Sequence, residues 1–332
     1  MSSTMKAFVY ARFGPPEVLE LREIPKPVPY DDEVLVEVRA TTVTAADWRC
    51  RTRTVPEGLG LVARMYMGFT APRHPILGTE LAGDVEAVGK AVRKFEVGDR
   101  VFAYPGIHLG SYVEYRCISE DGPLARIPPN LGYEEAAALS FGGTTALKFL
   151  QAAQLRAGER ILVNGASGGV GTAAVQLAKQ LGAKVTAVCS ASNLELVRGL
   201  GADEVVDYTR EDFTTSGERW DVIVDAAGTA PWARSKGSLR DGGRLLLVVG
   251  TLAEQLRAPW VSLTSRAKVI GGSPTTGPED LRSLAALAES GHFRPVIDRR
   301  YSFAEMVEAH RYVDTGHKRG NVVVTLPHPR GP

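Results

Sequence analysis

The chain has 332 residues, 44% of them apolar and 23% charged, a length and composition that suit two domains with real cores and exclude global disorder. Lysine plus arginine number 39 against 38 acidic residues, a formal charge of +1, so no domain-scale basic face for a nucleic acid is expected. Cys50, Cys117 and Cys189 lie far apart with no C-x-x-C pair, which excludes a disulfide framework and a clustered-thiolate metal site.

Residues 1 to about 125 carry short β-type runs broken by Gly, Pro and Asp: Lys6–Tyr10, Glu33–Arg39, Leu81–Val88 and Arg100–Ala103. These read as strands of a mostly antiparallel sheet, with Gly98-Asp99 as a tight turn before the fourth. The Arg- and Met-rich stretch Trp48–Phe69 reads as a loop or short helix. From about 126 the texture changes to alternating strands and helices. Arg160–Asn164 is a strand, Val170–Leu181 an amphipathic helix and Lys184–Cys189 the next strand. A helix then opens at Ser192-x-x-Glu195, a capping-box spacing. Further strands follow at Glu204–Tyr208, Asp221–Ala226, Arg244–Gly250 and Lys268–Ile270. Repeated units of this kind imply a parallel sheet covered on both faces. After about 273 come helices at Pro278–Ser290 and Phe303–Thr315 and a last strand, Asn321–Leu326, a tail too short to stand alone. No apolar run approaches the ~20 residues that span a bilayer, and Met1–Tyr10 lacks the layout of a secretion signal. A cytoplasmic protein with no membrane partner is expected.

The strongest chemical signal is Ile161-Leu162-Val163-Asn164-Gly165-Ala166-Ser167-Gly168-Gly169-Val170-Gly171. An apolar strand enters a glycine turn that opens a helix, with the G-x-G-x-x-G frame met at Ala166, Gly168 and Gly171. Such a turn lets a pyrophosphate approach the backbone at Gly168 and the positive end of the helix dipole. The second strand ends Val188-Cys189-Ser190-Ala191-Ser192-Asn193 with no acid before Glu195. NAD sites place a carboxylate there; its lack, with Ser190, Ser192 and Asn193 as donors, favours NADPH. Ser192 is also read as a plain helix cap, and Arg198 and Arg210 are possible partners of a 2′-phosphate.

These residues, together with His74-Pro75-Ile76-Leu77-Gly78-Thr79-Glu80-Leu81-Ala82-Gly83, Phe95-Glu96-Val97-Gly98-Asp99-Arg100-Val101 and Arg319-Gly320-Asn321-Val322-Val323-Val324, resemble the medium-chain dehydrogenase/reductase superfamily. Within it the chain is most similar to the zinc-free quinone oxidoreductase, zeta-crystallin-like branch. The resemblance implies an α/β protein. A GroES-like, mostly β catalytic domain (1–125 and 273–332) would receive an inserted Rossmann doubly wound parallel sheet (126–272) of strand order 3-2-1-4-5-6. It also implies an active site in the interdomain cleft and a homodimer built through Lys268–Gly272. Where zinc alcohol dehydrogenases of the superfamily carry Cys, His and Cys, this chain matches with Thr44, Thr79 and Phe141, none a soft ligand, so no metal is expected. The resemblance further places Thr145, Tyr208, Gly228, Gly250 and Asn321 along the cofactor, beside Ala166, Ser167, Gly168, Gly169, Val170 and Gly171.

For catalysis the candidates are Thr44, as donor to a substrate oxygen, Trp48, as a stacking surface, and Asp47, equally readable as a helix cap. Arg49, Arg51 and Arg53 read either as a grip on an anion or as a solvated face of a loop. The histidines (His74, His108, His292, His310, His317 and His328) show no ligand spacing and read as surface or satisfied core residues. The expected function is NADPH-dependent, zinc-independent hydride transfer to a quinone or an enone-type double bond. The alternatives are an NADP-dependent carbonyl or alcohol oxidoreductase, and a non-catalytic NADPH-binding protein of crystallin-like or RNA-binding kind.

Overall fold

The computed structural model describes residues 3–272 and 275–327; the expected boundary at 273 and His328 lie outside the described residues. The chain forms two compact units. One gathers residues up to Val55, Leu61–Phe141 and the chain from Thr276 on; the other comprises Pro56–Gly60 and Gly142–Thr275. The division thus falls at Phe141/Gly142 rather than near 125.

In the first unit, β1 (Thr4–Val9) and β2 (Glu20–Pro25) form an antiparallel pair. The main sheet runs through β3 (Glu33–Val43), β4 (Leu81–Val88) and β5 (Arg100–Ala103), with β6 (Tyr115–Ser119) also on β3 and β7 (Leu124–Arg126) on β5. Val34, Val36, Val38 and Ala40 point one face of β3 into the core. Past Arg39 the alternation ends, because Ala40–Val43 are buried on both faces; the strand therefore outruns its sequence signal. The stretch Trp48–Phe69 holds two helices, α1 (Ala45–Thr52) and α2 (Gly60–Met67). Helix α3 (Tyr133–Ala137) follows β7.

The second unit opens inside α4 (Ser140–Ala153) and continues β8 (Arg160–Asn164), α5 (Gly169–Gln180), β9 (Lys184–Cys189), α6 (Leu194–Gly199) and β10 (Glu204–Asp207). Then come β11 (Trp220–Asp225), α7 (Trp232–Ser235), β12 (Leu239–Leu247), α8 (Leu252–Thr264) and β13 (Lys268–Gly271). The strands are all parallel and ordered β10-β9-β8-β11-β12-β13, the 3-2-1-4-5-6 arrangement of a doubly wound sheet. Central β8 and β11 carry the apolar triplets Ile161–Val163 and Val222–Val224, whose side chains are buried whichever face they point to.

The tail supplies α9 (Pro278–Glu289), β14 (Ile297–Ser302), α10 (Met306–Asp314) and β15 (Asn321–Thr325). Strand β15 adds antiparallel to β3, and Met306, Ala309 and Val313 of α10 complete the first unit's core. Among the described residues, no helix is long and apolar enough to cross a membrane.

Candidate active site

Strand β8 delivers the chain into the glycine turn at Gly165, where φ is +79° and a Cβ would meet Ala227 Cβ at 3.0 Å. Three residues on, Gly168 takes the N-cap position of α5 and offers no side chain to the first-turn N–H groups. A Cβ at Gly168 would meet only Gly165 O, at 3.6 Å, so the space before it is open. Gly171 is the opposite case: its Cβ would lie 2.1 Å from Gly165 O and 2.7 Å from Ala166 Cα, so α5 docks on the turn only with glycine there. Gly142 of α4 is similarly constrained: a Cβ there would lie 2.5 Å from Gly169 O. Ala166, fully buried, donates its N–H to Val188 O at 3.0 Å and ties the turn to β9. The result is an uncapped helix terminus behind a backbone with room for a diphosphate, which fits a dinucleotide cofactor.

Ser167, Ser190, Ser192 and Asn193 come together at the end of β9. Asn193 Nδ2 donates to Ser167 Oγ (3.2 Å) and to Ser190 Oγ (3.1 Å), and Ser190 Oγ lies 3.2 Å from Ser192 Oγ. The amide protons of Asn193 are thus used on Ser167 and Ser190, and since one hydroxyl of the Ser190–Ser192 pair donates to the other, the pair keeps one proton to donate outward. Asn193 Oδ1 is buried without a partner, an acceptor suited to a ribose hydroxyl. The capping box expected at Ser192 does not form. A short 3₁₀ turn (Ala191–Asn193) precedes α6, Asn193 takes the N-cap position, and Glu195 pairs with Arg198 at 2.5 Å. Arg210 follows β10, whose last residue Asp207 is in register with Cys189, and Tyr208 N donates to Cys189 O at 3.1 Å. Its guanidinium is 81% exposed and 3.7 Å from Asp207, whose low-lying carboxyl is held ionised mainly by hydrogen bonds from Thr209. Tyr208 is exposed.

A further polar pair that sequence reasoning passed over holds the neighbouring turn. Asn164 Nδ2 donates to Asp225 Oδ1 at 2.8 Å, and Asp225 accepts from Gly228 N (2.9 Å) and Ala230 N (2.8 Å). This fixes Gly228 at φ +73° against Val249, one residue before Gly250. The signal was an acid ending a buried strand, just before Ala-Ala-Gly. Thr145 is half-buried on α4, and the adjacent Thr144 Oγ1 is buried without a partner. Asn321 belongs to the first unit, at the start of β15, where its Nδ2 donates to Val296 O at 3.1 Å.

In the first unit, Thr44 is the N-cap of α1 in a capping box with Asp47. Thr44 N and Oγ1 donate to Asp47 Oδ2 at 2.8 and 2.6 Å, and Gly78 N donates to Asp47 Oδ1 at 2.9 Å. Asp47 is fully enclosed, and burial pushes its carboxyl up to about 6 against the hydrogen bonds that favour the ion. Thr79 Oγ1 lies 3.4 Å from Thr44 Oγ1. The next residue, Glu80, accepts from Thr42 Oγ1 and, at 2.5 Å, from Phe141 N, with burial raising it to about 7. Trp48 is half-buried against the core.

Within the arginine cluster, Arg51 departs from both readings. The cluster's residues lie on α1 and at the helix's left-handed C-cap, not on a loop. Arg51 is 0% exposed, donating to Gly14 O (2.6 Å), His310 Nδ1 (3.2 Å) and Asp314 (2.6 Å to Oδ2), so it neither faces solvent nor has a guanidinium to offer an anion. Arg53 lies over the Phe13 ring at 4.8 Å and donates to Phe69 O.

Two threonine hydroxyls and a phenylalanine do not make a zinc site. Among the described residues, no group of three or more His, Cys, Asp or Glu is placed to hold a metal ion.

Two family descriptions match the chain: the alcohol dehydrogenase GroES-like domain over residues 30–129 and the zinc-binding dehydrogenase over residues 200–324. A 2-methylene-furan-3-one reductase of Solanum lycopersicum is 33% identical over 97% of this chain and 79% of its own length. A quinone oxidoreductase of Pseudomonas aeruginosa is 33% identical over 96% of this chain and 99% of its own. Among solved structures, the quinone oxidoreductase from Coxiella burnetii superposes with a TM-score of 0.87 at 30% identity, over 98% of this chain and 100% of that one.

Proposed function

Since the chain belongs to the medium-chain dehydrogenase/reductase superfamily, we propose that it is an NADPH-dependent reductase of quinones or enone-type double bonds that works without a metal. The observation that carries this reading is the Thr44–Thr79 hydroxyl pair, 3.4 Å apart, at the two positions that the sequence resemblance matches to soft metal ligands of zinc alcohol dehydrogenases. Oxidation of a simple alcohol leans on a Lewis acid to lower the alcohol's pKa. An electron-poor quinone or enone needs orientation and a hydrogen-bond donor, which hydroxyls provide. The relatives' names point the same way: a furanone reductase and quinone oxidoreductases.

The nicotinamide cofactor, when bound, supplies the hydride. The chain's own part begins with Gly168, Gly169, Val170 and Gly171, whose backbone would take the diphosphate. The Ser190–Ser192 pair would donate to a 2′-phosphate, and the exposed Arg210, just past β10, would supply a counter-charge. Thr44 would donate to the acceptor's oxygen. Strand β13 ends the six-stranded sheet, and α8, packed on it, exposes Leu256, Trp260 and Leu263. This supports a homodimer formed by pairing two such edges. A cytoplasmic location completes the reading.

The test is a panel of quinones and enones set against ketones and alcohols, with NADPH as reductant. Turnover confined to the first group is expected. Turnover of ketones and alcohols alone would favour a carbonyl reductase, and tight NADPH binding with no turnover would favour a non-catalytic role.

A further inference from the structure

Tyr112 and His310 are buried ionisable residues that the reduction outlined above leaves without a task. Hydrogen bonds thread them through the first unit. Arg51, held by Asp314, donates from Nε to His310 Nδ1 at 3.2 Å, and His310 Nε2 lies 3.1 Å from the Tyr112 hydroxyl. An arginine N–H only donates, so Nδ1 is an acceptor and the ring proton sits on Nε2, aimed at Tyr112. Burial, with the Arg51 charge, keeps this imidazole neutral. Having accepted from His310, the Tyr112 hydroxyl has one proton to give. That proton goes to Thr42 O at 3.3 Å, and the phenol also stands close enough to Asp47 to favour its ionised form.

The Asp47–Thr44 contact then works in two directions. With Asp47 ionised, the Thr44 hydroxyl commits its proton to the carboxylate across 2.6 Å. With Asp47 protonated, the carboxyl donates to Thr44 Oγ1 and the hydroxyl is released to donate elsewhere.

Resting on the reductase reading, we propose that Asp47, 2.6 Å from the Thr44 hydroxyl, is the proton reserve of the reduction and that Tyr112, locked by His310, is a positioning residue that favours its ionised form. As hydride adds to the β-carbon of an enone, the C=C pair moves into the adjoining bond and the carbonyl pair moves onto oxygen. The Thr44 O–H bond breaks as that oxygen takes the proton, giving an enol that tautomerises to the ketone. The Asp47 O–H bond breaks to restore the Thr44 hydroxyl. Asp47 is left as the carboxylate until water returns a proton through Thr44 after product leaves.

Around Asp47 are the phenols of Tyr10, Tyr104 and Tyr112, the Cys50 thiol and the Glu80 carboxyl, with Arg51 one turn on along α1 and turned to His310 and Asp314. Burial keeps the phenols and the thiol neutral well above neutral pH, the thiol being raised to about 12. Glu80, at about 7, is therefore the group whose titration must be told apart from that of Asp47.

The experiment follows two readouts in the full chain: the carboxyl ¹³C shift of Asp47 by NMR without substrate, and the pH profile of enone reduction. Both midpoints are expected near 6, the rate falling as pH rises through it. Tyr112→Phe should move both upward by a measurable fraction of a pH unit, since the phenol favoured the ion but less than the Thr44 and Gly78 bonds do. His310→Ala should move them the same way if Tyr112→Phe does not fold. Asp47→Asn should abolish the limb, and Glu80→Gln should leave it in place. A limb that survives Asp47→Asn, or that stays put while the carboxyl midpoint moves, overturns the proposal. A chain that reduces no acceptor at any pH refutes the reductase reading itself, and the proposal falls with it.

Discussion

Two glycines of one turn should respond oppositely to the same methyl group. At Gly171 an added Cβ would sit 2.1 Å from Gly165 O and 2.7 Å from Ala166 Cα, both backbone atoms. Relief requires the start of α5 to withdraw from the turn by about 1 Å, an overpacking that costs ~1–3 kcal/mol. At Gly168 the Cβ meets only Gly165 O at 3.6 Å, and φ is −80°, which any residue adopts. Gly168→Ala should therefore leave stability within ~0.5 kcal/mol of the parent. Its methyl, however, occupies the space through which the diphosphate reaches the helix N–H groups. The expected pattern in urea unfolding and NADPH fluorescence titration is a split: Gly171→Ala loses stability, whereas Gly168→Ala keeps it and loses at least ~tenfold in affinity, or 1.4 kcal/mol. Unchanged NADPH affinity in Gly168→Ala would refute the reasoning, because the phosphates would then lie elsewhere.

Ser190→Asp sets a carboxylate against a 2′-phosphate of about −1.5 to −2 charges. At ~4 Å in water-like surroundings the repulsion is ~2 kcal/mol, a shift of ~30-fold toward NADH in the ratio of the two cofactors' kcat/KM; an unmoved ratio would remove Ser190 from that phosphate. Arg51→Met strips Asp314, His310 and Gly14 O of their donor. With Asp314 26% exposed, the loss should be ~3 kcal/mol in urea unfolding, and less than ~1 would show the pair to be dispensable. For Glu80 the sign follows from burial. The folded carboxyl sits near 7 against an ordinary 4.5, so its ionisation opposes folding increasingly as pH rises between those values. The stability of Glu80→Gln relative to the parent should climb over that window and level off above it. A flat difference would contradict the burial argument.

The sequence announces the second unit's sheet because Ile161–Val163 of β8 and Val222–Val224 of β11 are buried on both faces, so their cores read as short apolar runs rather than alternations. The glycine turn is legible for the same kind of reason: Gly171 tolerates no Cβ, so steric demand is written directly into residue type. Helix α4 is not legible, because Gly142-Gly143-Thr144-Thr145 are poor helix formers kept for contact, Gly142 lying against Gly169. Arg51 misleads since its partner Asp314 is 263 residues away and no local pattern reports it. Ser192 misleads because its spacing to Glu195 is right, but each is claimed elsewhere, Ser192 by Ser190 and Glu195 by Arg198. Asp47 was readable as cap or catalyst, and spacing alone could not show that one carboxylate holds both Thr44 and Gly78.

The most direct test of the account is reduction of a cyclic enone by chelator-dialysed protein whose metal content has been verified as nil, with NADPH and NADH compared side by side. The account predicts undiminished turnover after dialysis and a clear preference for NADPH. Activity that vanishes with the metal and returns on adding zinc, or that runs on NADH alone, would contradict it.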